Sequence, residues 1–351
     1  MSSDSTRHDI PFAVDALQVY LRERIEGMQG TLRISRFKGG QSNPTFLIES
    51  PTHRYVLRSK PGPVADLLPS AHAIEREYRV QSALAGSEVP VARMFCLCED
   101  ETVIGRAFYV MEHVDGRVLW DQALPESSKT ERAAIYDDFN RVISALHKID
   151  PDAIGIGDYG KHGDYLARQI RRWSKQFAAS QTIPIAAMDR LIEWLPAHLP
   201  AEDERVAIVH GDCRLDNLIF HPTEPRILAV IDWELSTLGS AQADFAYHMM
   251  SRHIPRGTMR GLGGVDLEEL GIPDEASYVA DYERRSGRKV SGDWNFYLAY
   301  NLFRLAAICQ GIAKRVETGT ASNARAAEHG AMAAPLADLG WQFALKAGAE
   351  G

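Results

Sequence analysis

Apolar positions change their period along the chain, and the changes mark out two regions. Val14, Leu17, Leu21 and Ile25 recur at helical spacing behind a polar tail, which predicts one amphipathic helix within residues 1–30. Short apolar runs follow at residues 32–37, 45–49 and 54–58, long enough for strands and too short for helices. Between the first two lies Lys38-Gly39-Gly40-Gln41-Ser42-Asn43, which has the small, flexible residues of a turn. Pro61-Gly62-Pro63 and Pro69 mark a loop, after which Ser70 is placed to cap a helix running to Leu84. Two more strands are expected at residues 93–98 and 106–111. Residues 112–116 then read as a crossing into a region where the pattern turns helical. Strands return there only around two Asp-containing motifs.

This order predicts an α+β chain: an N-terminal lobe over residues 1–111, a crossing at 112–116 and a larger, mostly helical lobe over 117–351. The first lobe is a small antiparallel sheet with one main helix. Residues 252–273 carry several glycines and read as a mobile loop. At 351 residues, 45% of them hydrophobic and 25% charged, the chain has the length and composition for two ordinary globular cores. Its formal net charge of -8 argues against broad nucleic-acid or anionic-membrane binding. No apolar run reaches membrane-spanning length, and the N-terminal MSSDSTRHDI lacks the pattern of a secretory leader. Cys96 and Cys98 are too close for a relaxed disulfide. With Cys213 and Cys309 they read as reduced thiols in a cytoplasmic protein.

The most demanding pattern is VAIVHGDCRLDNLIFHPTEPRILAVIDW, residues 206–233. One apolar strand delivers His210-Gly211-Asp212, Asn217 follows on a short apolar run, and a second strand delivers Asp232. Two carboxylates and a carboxamide at strand ends suit Mg-dependent phosphoryl transfer. One carboxylate accepts the proton of an attacking hydroxyl, while hard oxygen donors hold Mg²⁺ on the nucleotide phosphates. Asp212 is then the base, and Asn217 and Asp232 are the metal ligands. His210 reads as a loop-shaping residue, and Asp216 as a cap or a solvated charge.

Other segments fit the same chemistry. The Gly39-Gly40-Gln41-Ser42-Asn43 turn has the open backbone amides of a phosphate flap, or is only a tight hairpin. Glu77 falls among Ala73, Ile74, Val80 and Leu84 on the apolar side of its helix, where a carboxylate needs a cation. Arg58 is the natural partner and is placed to meet the α- and β-phosphates, with Lys60 as a nearby substitute. The backbone of Glu112, His113 and Val114 is positioned to meet an adenine edge, or is an ordinary linker. Glu234 and Asp244 are candidate substrate contacts. Arg304, on an apolar helix, is either an anchor for an anionic substrate or a buried tie.

These residues resemble the aminoglycoside phosphotransferase/choline kinase-like group, which is built on the protein kinase fold. The group's H-G-D-x-x-x-x-N pattern stands at His210-Gly211-Asp212 through Asn217, and its metal-binding Asp at Asp232 in Ile231-Asp232-Trp233-Glu234. Segments such as YVLRSKPG, LLPSAHAIEREYRV, VIDWELSTLG and FYLAYNLFRLAAICQG are similar to kinase-like domains associated with acyl-CoA dehydrogenases. The resemblance implies ATP and Mg²⁺ as cofactors and a nucleotide between the lobes. It also implies Arg58 where a phosphate-binding lysine usually stands, with Glu77 as its partner. A departure follows Gly239, where Ser240-Ala241 replaces the usual Asp-Pro, and it bears on substrate orientation. The implied reaction is γ-phosphoryl transfer to a small-molecule hydroxyl. Its acceptor is a hydroxyacyl or CoA-type compound, or, on the group's label, an aminoglycoside. A non-catalytic nucleotide-binding module is the alternative of another class.

Overall fold

The computed structural model describes residues 10–37, 43–61, 73–201, 205–290, 292–321 and 325–350. The N-terminal elements are α1 (Val14–Arg24), β1 (Arg33–Arg36), β2 (Thr45–Glu49), β3 (Arg54–Ser59), α2 (Ile74–Leu84), β4 (Met94–Cys98), β5 (Phe108–Glu112) and β6 (Arg117–Val118). Next come α3 (Lys129–Lys148), α4 (Tyr165–Ser180), α5 (Ala186–Ala197), β7 (Ala207–Val209), β8 (Leu218–Phe220), β9 (Ile227–Val230) and β10 (Thr237–Gly239). The chain ends in α6 (Ala241–Met249), α7 (Leu267–Leu270), α8 (Glu275–Ser286), α9 (Trp294–Glu317), α10 (Ala326–Ala331) and α11 (Ala333–Lys346).

Two compact units result. The first comprises the described residues up to Arg117 together with Ile219–Pro222 and Leu228–Leu235; the second holds the rest. Asp232 and Glu234 therefore belong with the N-terminal sheet, a grouping that a single cut in the sequence cannot express.

The first unit is built on an antiparallel sheet of order β1-β2-β3-β5-β4. Alternation along the strands sorts its two faces. Phe46, Ile48, Tyr55, Leu57, Phe108 and Val110 share one core with Leu17, Leu21 and Ile25 from the α1 region. Tyr109 turns the other way and packs with Ile74 of α2. Register pairs Arg58 with Thr45 on one side and with Tyr109 on the other, so Arg58 shares Tyr109's face. That register aims a guanidinium at the helix carrying Glu77.

The second unit is helical around α9, whose Leu298–Ala307 stretch is almost wholly buried among α4, α5 and α11. Its β7 and β10 pair antiparallel, Val209 opposite Thr237, and so bring the chain just before His210 beside the start of α6. Ser240 caps α6 by accepting the Ala243 amide N–H at 3.2 Å. The expectation of a loose segment at 252–273 is corrected. Ile254, Leu262 and Ile272 are buried, the Leu262 amide donates to the Ser251 carbonyl, and short bridges join Pro255 to Gly263 and Arg256 to Gly261. Three apolar anchors in a short span outweigh the freedom its glycines allow. Among the described residues, no helix is long and apolar enough to cross a membrane.

Candidate active site

In the first unit, Arg58 is the hub. Its Nε lies 2.9 Å from Glu77 Oε2, and its Nη2 lies 2.9 Å from Asp232 Oδ1 and 3.3 Å from Glu234 Oε2. Glu77 is 1% exposed, and its other contacts come from Asn43 Nδ2 at 2.8 Å and Tyr109 Oη at 3.0 Å. Burial works against the charge of Arg58, but Glu77, Tyr109, Asp232 and Glu234 overcome it and hold the guanidinium above its ordinary range. Burial pushes the Glu77 carboxyl up, with Arg58 opposing. Lys60 pairs instead with Glu75 at 3.2 Å on the open side of α2, so Arg58 is the cation that meets Glu77. Asp232 sits in the left-handed region at φ 66°, rare for a residue with a side chain, just after β9. Backbone strain of this kind collects at functional positions.

In the second unit, Asp212 ends the β7 turn with both oxygens engaged. Tyr247 Oη donates to Oδ1 at 2.6 Å, while Asn217 Nδ2 and Arg214 Nη2 donate to Oδ2 at 2.9 and 2.8 Å. Asn217 Nδ2 also reaches the Asp212 carbonyl at 2.8 Å, which ties the two ends of the loop. His210 Nδ1 accepts the Asp212 amide N–H at 3.2 Å, a contact that shapes the turn. Beneath the turn, Asp244 Oδ2 and Oδ1 accept the amides of His210 and Gly211, each at 2.8 Å. His147 Nε2 lies 3.2 Å from Asp244 and its Nδ1 lies 2.8 Å from Tyr282 Oη. Burial drives His147 below its ordinary range. Burial would raise Asp244, but hydrogen bonds from His147 and the loop amide hold it low. The pair is thus a neutral imidazole donating to a carboxylate.

A model of a phosphotransferase enzyme family matches residues 33–293. The chain belongs to that family. A solved structure from Ralstonia eutropha, provisionally named an aminoglycoside phosphotransferase, is 59% identical. It matches over 95% of this chain and 99% of its own, with a TM-score of 0.88. Acyl-CoA dehydrogenase family member 10 of Mus musculus is 45% identical over 95% of this chain. The chain spans 31% of that protein and just under half of other curated relatives. A choline kinase from Cryptosporidium parvum, 12% identical, shares the fold at a TM-score of 0.66 over 95% of this chain and 96% of its own. The fold is the two-lobed, protein kinase-like one, as the order of sheet and helices suggests.

For this phosphotransferase, the geometry sorts the residues expected from the sequence. Arg58, Glu77, Asp232 and Glu234 meet in one unit; Asp212 and Asn217 meet in the other. Two expectations are corrected. Asp244 is not a substrate contact, because it is 2% exposed and its oxygens are spent on the loop amides and His147. Arg304 is a buried tie, donating to the Gly211 carbonyl and lying over the Tyr247 ring at 4.8 Å. The Asn43 side chain is buried and its carboxamide N–H goes to Glu77, which ties the end of the turn to the Arg58 cluster. Gly39, Gly40, Gln41 and Ser42 lie outside the described residues. Glu234 is exposed and pairs with Arg58. The Glu112 and His113 amides donate to the Arg93 and Arg54 carbonyls, so these two amides are engaged within the sheet unit.

Sequence reasoning missed Tyr247, Arg214 and Arg260. Arg214 is two residues from Asp212 and Tyr247 three from Asp244 on α6, so spacing carried a signal for both. Asp216, expected to be a cap or solvated, instead has a buried side chain that meets Arg260 at 3.0 Å.

Proposed function

We propose that the chain transfers the γ-phosphoryl group of ATP to the hydroxyl of a small molecule, with a hydroxyacyl or CoA-type acceptor favoured. The observation that carries this reading is the Asp212 carboxylate, held by Tyr247, Asn217 and Arg214 at the end of a strand. An oriented carboxylate is what an acceptor hydroxyl needs. The bond between the γ-phosphorus and its bridging oxygen breaks, a bond to the acceptor oxygen forms, the proton passes to Asp212, and ADP leaves. Arg58 is assigned to the nucleotide phosphates. Either a lysine or an arginine can meet phosphate, the arginine as a planar fork.

Mg²⁺ suits the donors. Asn217 turns its N–H toward Asp212, so its carbonyl oxygen remains for a hard cation, and the Asp232 side chain is 35% exposed with one oxygen on Arg58. Asn217 and Asp232 would hold the ion, which when bound neutralises charge on the phosphates. The acceptor class is favoured by the kinship with proteins named for acyl-CoA dehydrogenases and by Arg214 beside Asp212 and Arg260 beside Asp216. An aminoglycoside, being polycationic, calls for an acidic pocket.

Asp212→Ala tests the assignment. Acceptor-dependent ADP formation should fall by about 10²–10⁴-fold while ATP binding, followed by calorimetry, stays near that of the parent. Undiminished turnover in that variant would remove Asp212 from the mechanism.

A further inference from the structure

The loop around Asp212 continues outward as a chain of alternating charges. Arg214 Nη2 lies 2.8 Å from Asp212 and 3.7 Å from Asp216 Oδ2, and Arg260 Nη2 meets that same Asp216 oxygen at 3.0 Å. The Asp216 side chain is only 4% exposed, whereas Arg260 keeps 30% of its side chain open. A guanidinium carries five N–H donors in a planar fork, and one of them meets Asp216.

The chain accepts strain to put Arg260 there. Met259 and Arg260 have φ of 38° and 62°, conformations that side chains rarely adopt. The segment is pinned from several directions. Arg256 grips both oxygens of Asp121 at 2.8 and 2.7 Å, and a Cβ at Gly261 would come within 2.1 Å of the Ile254 carbonyl oxygen. A segment whose only task was to link α6 to α8 would need none of this. Next to Asp121 in the chain is Trp120, whose ring lies 5.9 Å from the Arg260 guanidinium carbon. Trp120 is 64% exposed, too open for its ring to be serving the core. His329 is held below its ordinary range by burial and then by Arg325 and Arg260, with Glu328 opposing, so the Arg260 guanidinium is felt beyond its pairing with Asp216.

We propose that Arg260 determines acceptor specificity by binding a negatively charged group, a carboxylate or a phosphate, on the hydroxylated acceptor, with Trp120 covering an apolar part of the same molecule. This deepens the kinase reading and rests on Asp212 being the base. The partly open guanidinium fork of Arg260 matches a carboxylate or phosphate, and a polycationic acceptor finds no such match in it.

Binding to the full chain, measured by calorimetry without nucleotide, separates this claim from turnover. The probes are 3-hydroxybutyrate, glycerol 3-phosphate, 3-hydroxybutyryl-CoA and kanamycin. At least one anion should bind more tightly than kanamycin, and the anions that bind identify carboxylate or phosphate as the recognised group. Arg260→Asn tolerates the left-handed backbone and should weaken that anion by about tenfold or more, with Arg260→Lys recovering part of the affinity. Asp216→Asn/Arg260→Asn removes both members of the buried pair, which guards against misfolding, and should weaken the anion equally. Parent-like affinity in Arg260→Asn, no binding of any anion, or kanamycin as the tightest ligand would each overturn the proposal. Intact anion binding without ADP formation would sink the kinase reading and leave the anion site standing.

Discussion

Glu77 shows how one residue can hold a site together. Its carboxylate faces Arg58, Asn43 and Tyr109 inside a unit that leaves it 1% exposed. Glu77→Ala strands a buried guanidinium and two polar groups, and should cost about 3–5 kcal/mol in chemical unfolding. A loss below about 1 kcal/mol would mean that solvent reaches the cluster. The sequence made Glu77 and Arg58 legible because helical period placed one carboxylate on an apolar face and that face needed a cation. It could not show Asn43 as the third partner, since 34 residues separate it from Glu77 and only the folded sheet joins them. Asp244 misled for a related reason. An acidic residue after a metal-type motif reads as a site residue, and its burial under the His210–Asn217 loop depends on contacts with α3 that no local pattern reports.

At the scale of elements, α6 and α9 clamp the His210–Asn217 loop. From α6, Asp244 holds the loop amides and Tyr247 holds Asp212; from α9, Asn301 donates to the Ala243 carbonyl and Arg304 to the Gly211 carbonyl. In each helix the two residues are three apart and so share a face, a spacing the sequence displayed without naming its target. The packing of α3, α6 and α8 also buries two histidines. Burial lowers His147, and it pushes His248 down to about 3. Below about pH 6.5 the unfolded chain takes up protons that the folded one refuses, so stability falls with pH. His248, with its folded pKa near 3, sets a slope that approaches about 1.4 kcal/mol per pH unit as the pH drops below about 6, and His147 adds to it in the same direction. Urea unfolding across that range should show the decline, and His248→Gln should make it shallower. A flat profile, or an unchanged slope in His248→Gln, would show that these histidines are not kept neutral.

For the whole molecule, each unit holds part of the proposed machinery. The sheet unit carries Arg58, Glu77 and Asp232, and the helical unit carries Asp212, Asn217 and Arg260. Membership of the phosphotransferase family rests on residues 33–293, which take in every one of these side chains. Strand order and the His210–Asn217 spacing were readable because each repeats a short, local rule. The return of β8 and β9 to the sheet unit was not, because it depends on pairing across the chain. The most direct measurement is ³¹P NMR of the chain with Mg-ATP and 3-hydroxybutyryl-CoA, run alongside kanamycin. The account predicts a new phosphomonoester signal on the hydroxyacyl compound, matched one-to-one by ADP and lost in Asp212→Ala. ATP left intact with both acceptors, or converted only to ADP and inorganic phosphate, would contradict it.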